Sequence, residues 1–135
     1  MTKSALILVV DDNDAGLLLV CSLLEMEGFR VDSAGSAEEV LERLSDHTPD
    51  LILMDVQLPG QDGLSLTRQL KADPATAAIP IVALTAHAMP GDRELAIAAG
   101  CSGYVSKPID TRDFGNQVRG YLNVQTTPNA IPPAA

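Results

Sequence analysis

Short apolar runs alternate along the chain with longer stretches whose apolar positions recur at helical spacing. Ala5–Val10 (ALILVV), Leu51–Met54 (LILM) and Ile79–Leu84 (IPIVAL) are almost purely apolar. Such runs suit strands covered on both faces of a parallel sheet. Phe29–Ala34 (FRVDSA) instead alternates Phe29, Val31 and Ser33 with Arg30, Asp32 and Ala34, and Gly103–Ser106 (GYVS) is short and mixed. Both predict edge strands. Asp14–Glu27 is leucine-rich and stops at Gly28, a suitable C-terminal cap for a helix. Ser36-Ala37-Glu38-Glu39 is a capping box that opens a second helix towards Asp46. Leu64–Ala72 follows a loop containing Pro59, Gly60 and Gly63 and ends before Pro74. Pro90–Ala99 begins with a proline at a permitted first-turn position and ends at Gly100. Thr111–Leu122 places Phe114, Val118, Tyr121 and Leu122 on one face. It is weakened by Gly115 and Gly120, each costing about 1 kcal/mol against Ala. Strict alternation of five strands and five helices predicts an α/β fold with a doubly wound, five-stranded parallel sheet. Three central and two edge strands are compatible with the order 2-1-3-4-5. Residues 123–135 (NVQTTPNAIPPAA) lack periodicity and hold three of the nine prolines. They predict a flexible tail or linker stub behind a domain spanning 1–122.

Composition narrows the function classes. The chain has 135 residues and a mass of 14.2 kDa, the size of one ordinary domain. It carries 18 Asp+Glu against 9 Lys+Arg, a formal net charge of -9. That field repels a phosphate backbone and disfavours nucleic acid as a partner. Trp is absent and aromatics are 3%, which leaves little for a base-stacking platform. Cys21 and Cys101 stand in apolar or Ala/Gly-rich surroundings without metal-ligand spacing. Structural zinc and a disulfide scaffold are therefore poor readings. No apolar run approaches the roughly 18–20 residues of a membrane span. Ala5–Val10 stops at Asp11-Asp12 with no cleavage site, so it reads as a strand rather than a signal peptide, and the expected compartment is the cytoplasm.

Chemistry collects where the predicted strands end. The first strand ends in Asp11-Asp12, the third in Asp55, the fourth in Thr85 and the fifth in Lys107-Pro108. In an open α/β sheet this edge is where ligands bind. Three carboxylates in one pocket repel: two charges about 4 Å apart cost on the order of 4 kcal/mol at an effective dielectric near 20. Lys107 supplies one positive charge. A hard divalent cation with oxygen ligands would offset the rest, and Mg²⁺ is the natural candidate because it also binds phosphate oxygens. A carboxylate beside Mg²⁺ and Lys is a good acceptor for a phosphoryl group.

These residues also carry a resemblance. Val9-Val10-Asp11-Asp12-Asn13, the stretch from Asp50 through Asp55 and Gln57-Leu58-Pro59-Gly60 to Gly63, Ala83-Leu84-Thr85-Ala86, and Gly103-Tyr104-Val105-Ser106-Lys107-Pro108 resemble the receiver domain of two-component response regulators. The match covers roughly residues 5–122. It implies a flavodoxin-like fold with the strand order 2-1-3-4-5 and a phosphorelay function. Asp55 would be the phosphoacceptor. Asp12 would ligate Mg²⁺ directly, Asp11 mainly through water, and the backbone carbonyl of Gln57 would be another ligand. Lys107 would pair with the phosphoryl group and Thr85 would hydrogen-bond to it. Tyr104 stands where the family has its switching aromatic, and Lys107-Pro108 would be a cis peptide. Gln57 and His87 occupy variable places that influence how water reaches the phosphoryl group.

The function expected is a stand-alone phosphoreceiver. It would take a phosphoryl group from a histidine kinase or histidine phosphotransfer protein onto Asp55 and then change its affinity for a downstream protein partner. It would catalyse only its own phosphorylation and dephosphorylation, and is not expected to be a dedicated enzyme. Each residue also has a plainer reading: Asp11 or Asp12 as a helix cap, Asp55 and Thr85 as turn residues, Lys107 as a solvated charge, Tyr104 as an edge-strand residue, His87 as an incidental loop histidine. Leu17–Val20 is too apolar for a single buried stripe; it is either a deeply covered helix or a docking face for the phosphodonor. Rival functions are an Mg²⁺-dependent phosphohydrolase, a flavodoxin-like cofactor binder and a phosphorylation-independent interaction domain. The first normally has a second carboxylate two residues after the nucleophile, where this chain has Gln57. The second wants a Ser/Thr/Gly-rich phosphate loop, whereas Asp11-Asp12-Asn13-Asp14 repels phosphate.

Overall fold

The apolar runs form strands because every residue in them finds cover on one face of the sheet or the other. A computed structural model describes residues 5–56, 62–85, 91–106, 109 and 111–126. The elements are β1 (Leu6–Val10), α1 (Asp14–Met26), β2 (Arg30–Ala34), α2 (Ala37–Asp46), β3 (Leu51–Asp55), α3 (Gly63–Ala72), β4 (Ile81–Thr85), α4 (Asp92–Ala99), β5 (Gly103–Ser106) and α5 (Phe114–Thr126). The strands pair in parallel in the order β2-β1-β3-β4-β5. This is the doubly wound α/β fold and the strand order expected.

Side-chain alternation divides the core in two. Leu8, Val10, Ile52, Met54, Ile81 and Ala83 face one way and pack with Val40 of α2, Leu66 and Leu70 of α3, and Ala96 of α4. Ile7, Val9, Leu51, Leu53, Val82 and Leu84 face the other way and pack with Val20 and Leu24 of α1, and Phe114 and Val118 of α5. Both faces of β3 and β4 are buried throughout. A run such as LILM therefore has no polar position to spare.

Several boundaries differ from the expected ones for local reasons. The fourth strand begins at Ile81 rather than Ile79. Pro80 has no N–H to give the ladder, although its carbonyl accepts the Ile52 N–H at 3.0 Å. The last helix begins at Phe114, after a turn at Thr111–Asp113, and runs on to Thr126, four residues past Leu122. The fourth helix begins at Asp92, with Gly91 at φ 99 before it, while Pro90 lies outside the described residues. The expected cap at Gly28 is present: Glu27 is the last helix-like residue of α1 and Gly28 follows with φ 92, the left-handed turn that favours glycine. In the capping box of α2, Ser36 Oγ accepts the Glu39 N–H at 3.3 Å, and the Glu39 carboxylate accepts the N–H of Gly35 at 3.1 Å. The first satisfies a donor that the helix leaves open, and the second ties the helix to the residue before its cap.

Candidate functional site at the carboxyl edge of the sheet

β1 and β3 are neighbours, and Val10 pairs with Met54. Asp11 and Asp55 each stand one step beyond that pair, so the register alone brings two carboxylates side by side. Both are buried, and Asp12, next in the chain, is exposed. One oxygen from each of Asp11, Asp12 and Asp55 lies within 4.8 Å of the others.

The site is held from several sides. The Asp11 N–H donates to the Ala34 carbonyl at 3.1 Å, which ties the residue to the end of β2. Asp11 Oδ1 accepts the Asn13 N–H at 3.0 Å. Asn13 then caps α1: its side-chain oxygen accepts the Gly16 N–H at 3.0 Å. The capping role open to Asp11 and Asp12 in the sequence thus falls to Asn13. Beneath Asp55, the Val56 N–H donates to Leu84 and the Val56 carbonyl accepts the Gly63 N–H at 3.0 Å. Gly63 opens α3, and a Cβ there would collide with the Asp55 carbonyl oxygen. Only glycine lets the helix approach the acceptor strand so closely.

Thr85 ends β4 and is buried. Asp55 pairs with Leu84, so Thr85 is one step further toward the edge on the neighbouring strand. Tyr104 of β5 pairs with Ala83 and therefore shares the face that Thr85 continues. It is half-buried and packs against the core under α2, α3 and α4. The structure thus brings Asp11, Asp12 and Asp55 together and sets Thr85 and Tyr104 on adjacent strands beside them. Gln57, His87, Lys107 and Pro108 lie outside the described residues.

The donor set fits a hard cation. All three groups are carboxylates, with no imidazole or thiolate among them, and oxygen donors select Mg²⁺ or Ca²⁺ over zinc. Ligand oxygens around one Mg²⁺ lie roughly 3–4 Å apart given bonds of about 2.0–2.1 Å, and the three acids here converge to within 4.8 Å. Asn13 and Gly63 fall within the motifs that carry the resemblance, but their supporting roles were not read from the sequence. Asn13 carries a usable signal, an Asn immediately before a helix. Gly63 carries only its place next to a predicted helix start.

No helix among the described residues is long and apolar enough to cross a membrane. On the exposed side of α1, Leu18 is 70% and Met26 82% accessible, with Leu19 also exposed. Of the two readings of the apolar segment 17–20, the deeply covered helix is therefore incorrect for Leu18 and Leu19. Three leucines and a valine in succession around a helix cannot all face one core.

Comparison with known proteins agrees with this geometry. Residues 7–119 match the response regulator receiver domain. The chain is 42% identical over 122 residues to the polar-differentiation response regulator DivK of Brucella ovis, an alignment covering 90% of this chain and 98% of that protein. The DivK protein of Brucella anthropi is 40% identical over the same shares. Among solved structures, the receiver domain of a sensor histidine kinase from Pseudomonas aeruginosa, with a magnesium ion coordinated in its active-site cleft, superposes with a TM-score of 0.81. It is 31% identical, and the match covers 90% of this chain and 99% of that one. A CheY-like receiver domain protein from Methanospirillum hungatei gives a TM-score of 0.85 at 27% identity, covering 94% of this chain and 100% of that one. With its family match spanning nearly the whole sheet and all three acids at the edge, this chain belongs to the response regulator receiver domain family.

Proposed function

We propose that the chain is a phosphoreceiver in which Asp55 accepts a phosphoryl group from a phosphohistidine donor. The observation that carries this reading is the convergence of Asp11, Asp12 and Asp55 within 4.8 Å at the carboxyl edge of the sheet. In the transfer a carboxylate oxygen of Asp55 bonds to phosphorus, the phosphorus–nitrogen bond of the donor breaks, and its electron pair returns to the imidazole. Asp11, Asp12, Asp55 and the Gln57 carbonyl would hold Mg²⁺, which when bound neutralises charge on the phosphoryl oxygens. Lys107 supplies a second positive charge, and the Thr85 hydroxyl donates to a phosphoryl oxygen. The Asn13–Asp11 hydrogen bond and the close seat of Gly63 keep the acids in place before the donor arrives, which spares reorganisation during transfer.

The donor is a histidine kinase or histidine phosphotransfer protein, and the exposed leucines of α1 are its docking face. Large apolar side chains standing free beside a reactive site support that assignment. Output runs through a downstream protein partner whose affinity changes with phosphorylation, and Tyr104 reports the change. A cytoplasmic location is in keeping with two free cysteines.

Incubation with a small-molecule phosphodonor and Mg²⁺, followed by mass spectrometry, tests the reading. One added phosphoryl group mapped to Asp55 is expected, and Asp55→Asn abolishes it while the fold persists, because the amide is nearly isosteric but cannot attack phosphorus. Undiminished labelling of Asp55→Asn sinks the assignment.

A further inference from the structure

Gly16 is an anomaly in the first helix. It lies in the first turn of α1, and glycine is a poorer helix former than alanine. Its backbone does not require glycine: the glycines at positive φ among the described residues are Gly28, Gly91 and Gly100. The space around it does. A Cβ at Gly16 would lie 3.0 Å from Asp11 Oδ2, 3.7 Å from Asp11 Cγ and 3.8 Å from the Asn13 Cβ. The first distance is tighter than nearly all contacts that a Cβ makes, so the Asp11 carboxylate would have to give by a few tenths of an ångström.

We infer that Gly16 is a positioning residue for the cation site: its missing side chain is the room in which the Asp11 carboxylate lies to meet Asp12 and Asp55. The inference rests on the reading of those acids as a Mg²⁺ site. Asp11 has little freedom to step aside. Its Oδ1 accepts the Asn13 N–H, its backbone N–H is tied to Ala34, and the residue is buried. A methyl group pressing on Oδ2 must therefore shift the carboxylate, and shifting it strains the Asn13 hydrogen bond or changes how the carboxylate faces Asp12 and Asp55. Asn13 is itself fixed by accepting the Gly16 N–H. Asp11, Asn13 and Gly16 thus form one closed unit joining the end of β1 to the start of α1.

Helix propensity and metal binding should move in opposite directions in Gly16→Ala. A merely structural glycine would not produce that split. Gly120→Ala in α5 is the control, since a Cβ there meets nothing within 4 Å. Isothermal titration with Mg²⁺ alone is expected to show binding weakened about fivefold or more in Gly16→Ala, a loss of about 1 kcal/mol, and unchanged in Gly120→Ala. Without metal, Gly16→Ala should keep or raise its melting temperature while the Asn13 backbone amide resonance shifts. Mg²⁺ affinity equal to wild type, or an unshifted Asn13 amide, overturns the proposal. Failure of the wild-type chain to bind Mg²⁺ defeats the metal reading instead, and the Asn13 amide then still decides whether Gly16 places the Asp11 carboxylate.

Discussion

Asp11 and Asp12 are adjacent in sequence yet meet different surroundings. Asp11 is buried, accepts the Asn13 N–H and is bound through its own backbone to Ala34. Asp12 stands exposed on the bend that follows β1. The family resemblance gives Asp12 the direct bond to metal and Asp11 the water-mediated one. Asp12→Ala is therefore expected to weaken Mg²⁺ binding more than Asp11→Ala. Without metal, Asp11→Ala gives up a hydrogen bond that organises the helix start, worth about 1 kcal/mol, but relieves a larger repulsion with buried Asp55, so it should melt above wild type and by more than Asp12→Ala, whose carboxylate is exposed. A Mg²⁺ titration and a metal-free melt of both variants check the two halves separately; equal or reversed losses of affinity would mean the ligand roles are exchanged. Wild-type melting temperature should rise with Mg²⁺ by mass action, since the folded chain alone presents the assembled acids.

At the scale of elements, the central strands were legible in sequence because burial on both faces leaves β3 and β4 apolar up to their last residues, Asp55 and Thr85. The edge strand β2 was legible from its mixed composition, but the alternation read in it is not matched by burial, which is partial from Val31 to Ser33 and complete only at Ala34. Element ends were less so. The last helix starts at Phe114, where the Gln117 N–H reaches back to the Asp113 carbonyl, and the turn at Thr111–Asp113 before it left no mark in the apolar pattern. The acids of the site could be read because a polar residue at the end of an apolar strand stands out. Their supports, Gly16 and Gly63, could not, because close approach between elements distant in the chain leaves no periodic trace. Register makes a further prediction at this scale. Thr85 continues the face of β4 that carries Ala83, and Ala83 pairs with Tyr104. A Thr85 hydroxyl drawn towards a phosphoryl group would open space beside Tyr104, and two states stabilised differently by that bond constitute a switch. Thr85→Ala should still be phosphorylated at Asp55, since neither nucleophile nor metal ligand is lost. It should lose most of the phosphorylation-dependent chemical-shift change at Tyr104. A Tyr104 response equal to wild type would rule out this coupling and move the switch to another element.

Across the whole molecule, the helices on the two faces of the sheet are tied down in different ways. On one side, α1 and α5 are joined by Arg119, which pairs with Glu27 and lies over the Phe29 ring at 5.7 Å from its centroid. Gly115 makes room for the Glu27 side chain. The pair is partly exposed, so its value is modest. On the other side, the Lys71 ammonium at the end of α3 donates to the carbonyls of Ala77 and Ile79 at 3.0 and 2.6 Å, and the buried Cys101 lies after α4. Burial lowers the Lys71 pKa from its ordinary 10.5. Burial raises the Cys101 thiol above 9.0, opposed by a hydrogen bond with Thr67 and by the Lys71 charge. These two shifts act on stability with opposite sign. The folded chain keeps the Cys101 proton that the unfolded chain releases near 9.0, so the stability this group contributes is complete below that value and is lost as pH rises through the higher folded pKa. The folded chain releases the Lys71 proton first, so its contribution rises with pH in the window below 10.5. Cys21 adds to the fall, since burial first and then Glu25 and Asp32 raise its thiol as well. Urea titrations at about pH 8 and about pH 10, on either side of the thiol range, separate the contributions. Cys101→Ala should lose less stability between the two than wild type. Lys71→Met should lose more, because the opposing contribution is gone. Parallel losses in all three proteins would place the alkaline sensitivity outside this buried pair.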